Sequence, residues 1–349
     1  HWLGGMGIVV LTVAILPFLG VGGVQLVRAE SPGPTLDKIA PKITQTAKIL
    51  WFIYLGLTVL ETALLMIAGM DLFDALTHTF GTLATGGFST RTESVAAFQS
   101  PLIEYILILF MFVAGVSFIQ HYRLWIEKRP RTVAGDYEFR AYFVLTLVAT
   151  LIVAVTLVLV NGTPIEPALR KALFQVTSIL STTGFTTADY GLWPPALQLL
   201  LLFLMFAGGS TGSTAGGLKV ARMVLMLQVV KREFRRLAEP RGVFRIRAGK
   251  DVLPEQAVSG LLNLVFLALA VLLVASLLVS ATGVDIVTAF SSVIACQFNI
   301  GPGLGGVGPV EHYGHLAPLA KWVLSLCMIA GRLEIFPVLL LFTRNLWRN

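Results

Sequence analysis

Apolar residues run through this chain in long blocks, and short polar stretches separate them. Blocks of about 20 residues or more are long enough for a helix to cross a bilayer. They fall at roughly 2–27, 48–70, 101–125, 140–161, 194–230, 256–282 and 316–343, and each is predicted to be a span. The block at 194–230 is interrupted. Its run "LQLLLLFLMFA" gives way to "GGSTGSTAGG" at residues 208–217. Open backbone at membrane depth is tolerated only where it meets protein or water, so this break predicts a loop facing a wet cavity.

The polar stretches on one side of the spans share a second pattern. "ALTHTFGTLATGGFST" (75–90), "ALFQVTSILSTTGFTT" (172–187) and "AFSSVIACQFNIGPGLG" (289–305) align, and each reaches a glycine twelve residues after its first alanine: Gly87, Gly184 and Gly301. Thr85, Gly86 and Phe88 match Thr182, Thr183 and Phe185, while the third copy reads Asn299, Ile300 and Pro302. The predicted unit is a span, a short helix of about ten residues that is too short to cross, a polar glycine-bearing strand, and a second span. A helix that ends at mid-membrane aims its carbonyl end, the negative end of its dipole, at the centre, where a cation is favoured. The carbonyls of the following strand can replace a cation's hydration shell.

Composition and charge agree with a lipid solvent. Of 349 residues, 56% are hydrophobic and 13% charged, and the mean hydropathy is +0.81. The net charge of +7 could suggest a nucleic-acid partner, but its distribution argues against one. Segments 28–48, 123–140, 231–250 and 344–349 hold 19 of the 26 Lys and Arg residues, whereas 71–100, 162–193 and 283–315 hold only Arg91, Arg170 and Lys171. This alternation follows the positive-inside rule and predicts a cytoplasmic C-terminus. Cys296 and Cys327 are expected to be buried free thiols, with no disulfide framework and no metal spacing.

These motifs resemble the Trk/Ktr/HKT superfamily of potassium transporters, within it the TrkH branch, over essentially the whole chain. "ATGGFST" (84–90), "STTGFTT" (181–187) and "NIGPGLGG" (299–306) look like its filter loops. "GGSTGSTAGGLK" (208–219) resembles its intramembrane loop, and "AGRLEIFPVLL" (330–340) its arginine-bearing last span. The resemblance implies an all-α polytopic membrane protein with span–pore-helix–filter–span units around a pseudo-fourfold pore. Residues 1–47 would be the second span of repeat one with a cytoplasmic linker, 48–135 repeat two, 136–250 repeat three and 251–349 repeat four. The chain opens at His1 inside an apolar run, and the first filter loop is expected to lie before it. K⁺ would be the transported ion, held at Thr85, Gly86, Thr182, Thr183, Asn299 and Ile300, and no covalent cofactor is expected. In this family, glycine at the positions of Gly87, Gly184 and Gly301 accompanies potassium selectivity. The implied partners are a second copy of the chain and a TrkA-like cytosolic ring that binds nucleotides, docked near the basic run 228–250. The implied location is the cell (inner) membrane.

Depth ties the broken span to the last one. Gly208 lies ~20 Å along a helix from Pro195, and Arg332 ~21 Å along a helix from Pro318. A buried mid-membrane arginine needs a cavity or a polar partner, and the loop offers carbonyls and the hydroxyls of Ser210, Thr211, Ser213 and Thr214. The expectation is a gate beneath the filter made of Gly208, Gly209, Ser210, Thr211, Gly212, Ser213, Thr214, Gly216, Gly217 and Arg332. Alternatives are a Na⁺/K⁺ transporter or a non-selective cation channel of the same fold. An intramembrane serine hydrolase using Ser210, read from the formal G-x-S-x-G at 208–212, is a further class. A membrane scaffold would leave the three matched loops unexplained. For Glu61, Glu104 and Glu334 the sequence predicts interhelix polar contacts, and for His78 a surface or packing role.

Overall fold

The computed structural model describes residues 1–5, 43–249 and 251–333. Most of the predicted span 2–27, most of the basic stretch 28–48, Lys250, Glu334 and the basic end of the chain lie outside the described residues. Among the described residues after residue 42, twelve α-helices follow in order. They are α1 (Ile43–Ile67), α2 (Leu72–Leu83), α3 (Pro101–Ala114), α4 (Phe118–Trp125), α5 (Pro130–Ala134), α6 (Tyr137–Asn161), α7 (Ile165–Leu180), α8 (Pro195–Ala207), α9 (Val220–Ala238), α10 (Glu255–Ser280), α11 (Ile286–Gln297) and α12 (Pro318–Arg332). A two-residue antiparallel ribbon, Arg247–Ala248 with Asp251–Val252, sits between α9 and α10.

Three of these helices contain stretches long and apolar enough to cross a membrane unaided: Lys48–Ile67 within α1, and α6 and α10 in full. Only about a third of the most apolar window of α6 and of α10 is buried. Their outward residues include Leu159, Phe266 and Leu277, each more than 70% exposed. A helix that is apolar all round and still exposes such residues is surrounded by lipid.

The short helices are the predicted pore helices. α2 and α11 have 12 residues each and α7 has 16. Asp71 caps α2 by accepting from Asp74 N (2.7 Å), and Asp285 caps α11 by accepting from Thr288 N (3.0 Å). An acid at that end also suits the helix dipole. α7 starts after Pro164 with Glu166 in its first turn. At their far ends all three run into the glycine strands. The largest apolar core gathers side chains of α6, α7, α8, α10, α11 and α12, among them Tyr142, Leu180, Leu201, Leu272, Ile294 and Leu324. A smaller one packs α2, α3 and α7 around Phe174 and Phe185.

Two spans depart from the sequence reading. The block 101–125 is not one helix. α3 ends at Gly115, and α4 leaves it at 102° after a break at 115–117. The block 194–230 breaks as expected, but the non-helical stretch is longer than the glycine-rich segment. It runs over residues 208–219, and α9 begins at Val220.

Candidate functional site

The three glycine strands have the same local geometry. Each pore helix ends in a residue with left-handed backbone: Thr85 (φ 51°), Thr182 (φ 58°) and Asn299 (φ 57°). Two residues later come Gly87 (φ 63°), Gly184 (φ 86°) and Gly301 (φ 111°). The amide bonds repeat in register. Thr85 N donates to Thr82 O (3.0 Å), Gly86 N to Gly81 O (2.7 Å) and Gly87 N to Gly81 O (3.3 Å). Thr182, Thr183 and Gly184 repeat this on Ile179 O and Ser178 O, and Asn299, Ile300 and Gly301 on Cys296 O and Ala295 O. This is a Schellman-type helix end, in which the left-handed residue is usually glycine. Threonine there is β-branched and strained, and such strain persists only where its surroundings hold it. The N–H groups of the strand all turn back into the helix end, leaving the opposite peptide edge, the carbonyls, to face away from it.

Adjacent strands fit against each other through the glycines. A Cβ on Gly87 would collide with Thr183 O, and one on Gly184 with Ile300 O. At Gly301, the last in this series, a Cβ would meet nothing within 4 Å. The three described strands therefore lie side by side in chain order. Phe88 and Phe185, aligned in sequence, differ in setting. Phe185 is fully buried and stacks on His78 of α2 (5.6 Å, 27°), whereas Phe88 is 66% exposed and meets the His1 ring edge-on (5.4 Å). His78 packs as the sequence suggested, with ring nitrogens on Asp74 O (2.7 Å) and Ser89 Oγ (2.9 Å).

A cavity of about 280 Å³ opens where the strands meet the broken span. Its lining includes Thr85, Gly86 and Phe88 of the first described strand, Thr182 of the second, and Asn299, Ile300 and Gly301 of the third. Gly216 and Arg332 line it as well. Gly87, Thr183, Gly184, Phe185 and Pro302 are not among its lining residues; Thr183 is fully buried with its hydroxyl on Ser181 Oγ (2.7 Å).

The 208–219 loop is fastened on three sides. Its ends close on themselves, with Leu218 N on Phe206 O (3.0 Å) and Val220 N on Gly209 O (3.1 Å). Gly208 and Gly217 meet there so closely that a Cβ on Gly217 would lie 2.6 Å from Gly208 Cα. Towards the filter, Thr214 Oγ1 donates to Leu83 O (2.8 Å), and Thr85 Oγ1 donates to Thr214 O (2.8 Å). Gly216 N donates to Thr182 Oγ1 (2.6 Å). Towards the bend between α3 and α4, Ser210 N donates to Gly115 O (2.8 Å) and Phe118 N to Gly212 O (3.0 Å). Ser213 Oγ turns inward onto Ser210 O.

Arg332 differs in one respect from the sequence reading. It is exposed to the cavity rather than buried. It reaches the loop through a backbone carbonyl, Nη1 to Thr214 O at 3.0 Å. Its position depends on Gly331, where a Cβ would collide with Gln297 O at the end of α11. Without that glycine α12 could not lie so close to the pore helix.

Sequence reasoning missed Gly331, Gly115 and Glu138. Glu138, in the first turn of α6, accepts from Thr211 N (2.6 Å) and Ala221 N (3.3 Å) with one carboxylate oxygen. It caps the loop and the start of α9 together. Lys219 has left-handed backbone (φ 72°) and its ammonium donates to Ala215 O. Isolated glycines inside apolar helices were the available signal for Gly115 and Gly331. The acids in the spans divide. Glu104 forms the expected interhelix pair, with Arg170 of α7 (2.6 Å). Glu61 is fully buried, with its carboxyl toward the Thr82 side chain of α2.

Fold and site define an α-helical membrane protein in which pore helices end at carbonyl-presenting glycine strands around a shared cavity. The family model described as TrkH, cation transport protein, matches residues 1–348, and the chain belongs to that family. It is 47% identical to the Trk system potassium uptake protein TrkH of Halomonas elongata and 45% identical to that of Escherichia coli K12. Each match takes in all of this chain and 72% of the relative. The crystal structure of the potassium transporter TrkH from Vibrio parahaemolyticus superposes with a TM-score of 0.87 at 40% identity, over 99% of this chain and 71% of that one.

Proposed function

We propose that this protein is a membrane K⁺ uptake subunit whose glycine strands form the ion filter and whose 208–219 loop, with Arg332, is the gate beneath it. The observation that carries the reading is the triplicated strand end. Three helix termini place equivalent positions in left-handed backbone and turn the equivalent amides inward. The strand carbonyls are thereby offered as a set, the ligand type that replaces a potassium ion's hydration shell. Thr85, Gly86, Thr182, Thr183, Asn299 and Ile300 supply those carbonyls.

Of the loop, Gly216 lines the cavity beside the strands, together with Arg332. A fixed positive charge there raises the barrier to a cation, and the loop narrows the same passage. The repeats are read as 48–135, 136–250 and 251–349, with 1–47 belonging to a preceding one. The positive-inside distribution supports a cytoplasmic C-terminus in the inner membrane. The exposed basic end of α9 (Arg235, Arg236) suits a cytosolic nucleotide-binding regulatory subunit of TrkA type, and the assembly is read as a homodimer.

The test is K⁺ and Na⁺ flux through the full-length protein in liposomes. Preference for K⁺ supports the reading. Equal fluxes would favour a non-selective channel of this fold, and no flux of either ion would overturn transport. The hydrolase alternative has no support at its nucleophile: Ser210 Oγ is buried and, among the described residues, has no hydrogen-bond partner that could act as its base.

A further inference from the structure

We propose that the loop is latched to the filter through the hydroxyls of Thr85, Thr182 and Thr214, so that moving the loop changes ion selectivity as well as conduction. The inference rests on the loop acting as a gate. Three bonds carry it. Thr214 Oγ1 holds Leu83 O, the last residue of α2, at 2.8 Å. Thr85 Oγ1 lies 2.8 Å from both Thr214 O and Ala84 O, so its one hydrogen is shared between loop and strand. Gly216 N holds Thr182 Oγ1 at 2.6 Å. The tip of the loop is thus bonded to the filter ends of repeats two and three, and Gly216 also abuts repeat four, where a Cβ on it would lie 2.6 Å from Phe298 O.

The chemistry of these bonds makes them more than polar satisfaction. A hydroxyl oxygen that accepts from an amide has a lone pair engaged, and that lone pair is withheld from a cation. Thr182 Oγ1 is in this state while the loop is docked, and so is the carbonyl of Thr214, which receives both Thr85 Oγ1 and Arg332 Nη1. Thr85 and Thr182 are also the strained left-handed residues of their strands, which persist only where neighbours over-determine them. Loop and arginine therefore act on the same atoms that shape the inner mouth of the filter. When the loop leaves, the hydroxyls are released toward the cavity that Thr85 and Thr182 already line, and two threonine turns lose one of their restraints.

Thr214→Val and Thr182→Val remove the hydroxyls while keeping β-branched shape, and Thr182→Ser restores one. The full-length protein with each change would be reconstituted in liposomes and its K⁺ and Na⁺ fluxes compared. Loss of one net hydrogen bond is expected to move the K⁺/Na⁺ flux ratio by about fivefold, with Thr182→Ser returning it toward the native value. Thr214 decides the matter even if the Thr182 variants do not assemble, because it belongs to the loop and not to a filter strand. A native flux ratio in Thr214→Val, whether total flux rises or stays the same, overturns the latch. The gate reading is tested apart from it by deleting part of 208–217. A deletion that raises flux beside a Thr214→Val of native ratio removes the latch and leaves the gate, while a deletion that leaves flux unchanged removes the gate itself.

Discussion

Gly184 and Gly301 occupy equivalent positions in their strands yet differ in what surrounds them, and alanine separates the two. Both have positive φ, so either substitution costs about 1 kcal/mol or more in backbone strain. Only at Gly184 does the added Cβ also run into a neighbouring carbonyl, Ile300 O. Gly184→Ala is therefore expected to lower K⁺ flux, the K⁺/Na⁺ ratio and thermal stability more than Gly301→Ala, measured side by side in liposomes and by melting in detergent. Arg332→Ala removes a donor from Thr214 O and a positive charge from the cavity, and basal cation flux should rise several-fold. Asp74 gives a pH signature on the external side. The Thr90 hydroxyl (2.5 Å) and the Arg91 guanidinium (2.7 Å) hold its carboxyl below the usual carboxylate value. A lowered pKa means stability that is present at neutral pH and is lost as pH falls through the folded value, below about 4. Melting temperature should therefore drop on acidification below that point, and by less in Asp74→Asn. The left-handed strand glycines were legible in the sequence because three copies share one spacing. Gly331 was not, since its reason is the close approach of a helix that sequence order does not bring near.

The loop is built from two broken helices, not one. Its own glycine-rich break is visible in the chain as ten consecutive small or hydroxylic residues at 208–217. Its partner, the bend between α3 and α4, is hidden inside an apolar run that satisfies every compositional test for a continuous span. Only the exchange of bonds between Gly115 O, Ser210 N, Gly212 O and Phe118 N explains why both breaks are tolerated. Each supplies partners for backbone groups the other frees, as membrane interiors require. Glu138 completes this joint from a third element, binding Thr211 N and Ala221 N. Hydrogen bonds to a charged acceptor contribute roughly 1.5–3 kcal/mol, and glutamine retains part of that. Glu138→Gln is expected to lower stability by about 1–2 kcal/mol and to raise basal flux, because the loop loses its support from α6. A lower melting temperature with native flux would show that Glu138 supports the fold without restraining the gate.

Across the whole molecule, the alternation of basic segments supports one orientation. Pore helices that begin with Asp71, Glu166 and Asp285 descend from the face that carries few cations, and the strands they end in lie toward the membrane centre. The basic segments, 123–140 and 231–249 among the described residues, sit at the opposite face, where α4, α5, the end of α9 and the small ribbon gather. An alternating Lys and Arg excess of this kind is enforced during insertion, so it was readable from sequence, whereas the depth at which α3 bends was not. The two native cysteines are buried, which leaves surface thiols free to report on sidedness. Thr92→Cys, exposed beside the first pore helix, and Arg235→Cys, exposed on α9, should react oppositely with a membrane-impermeant maleimide. Intact cells are expected to label Thr92→Cys alone, and inverted vesicles Arg235→Cys alone. Labelling of both from one side would place the pore helices and the basic segment on the same face. Such a result would overturn the proposed placement of a gate on the cytoplasmic side of the strands.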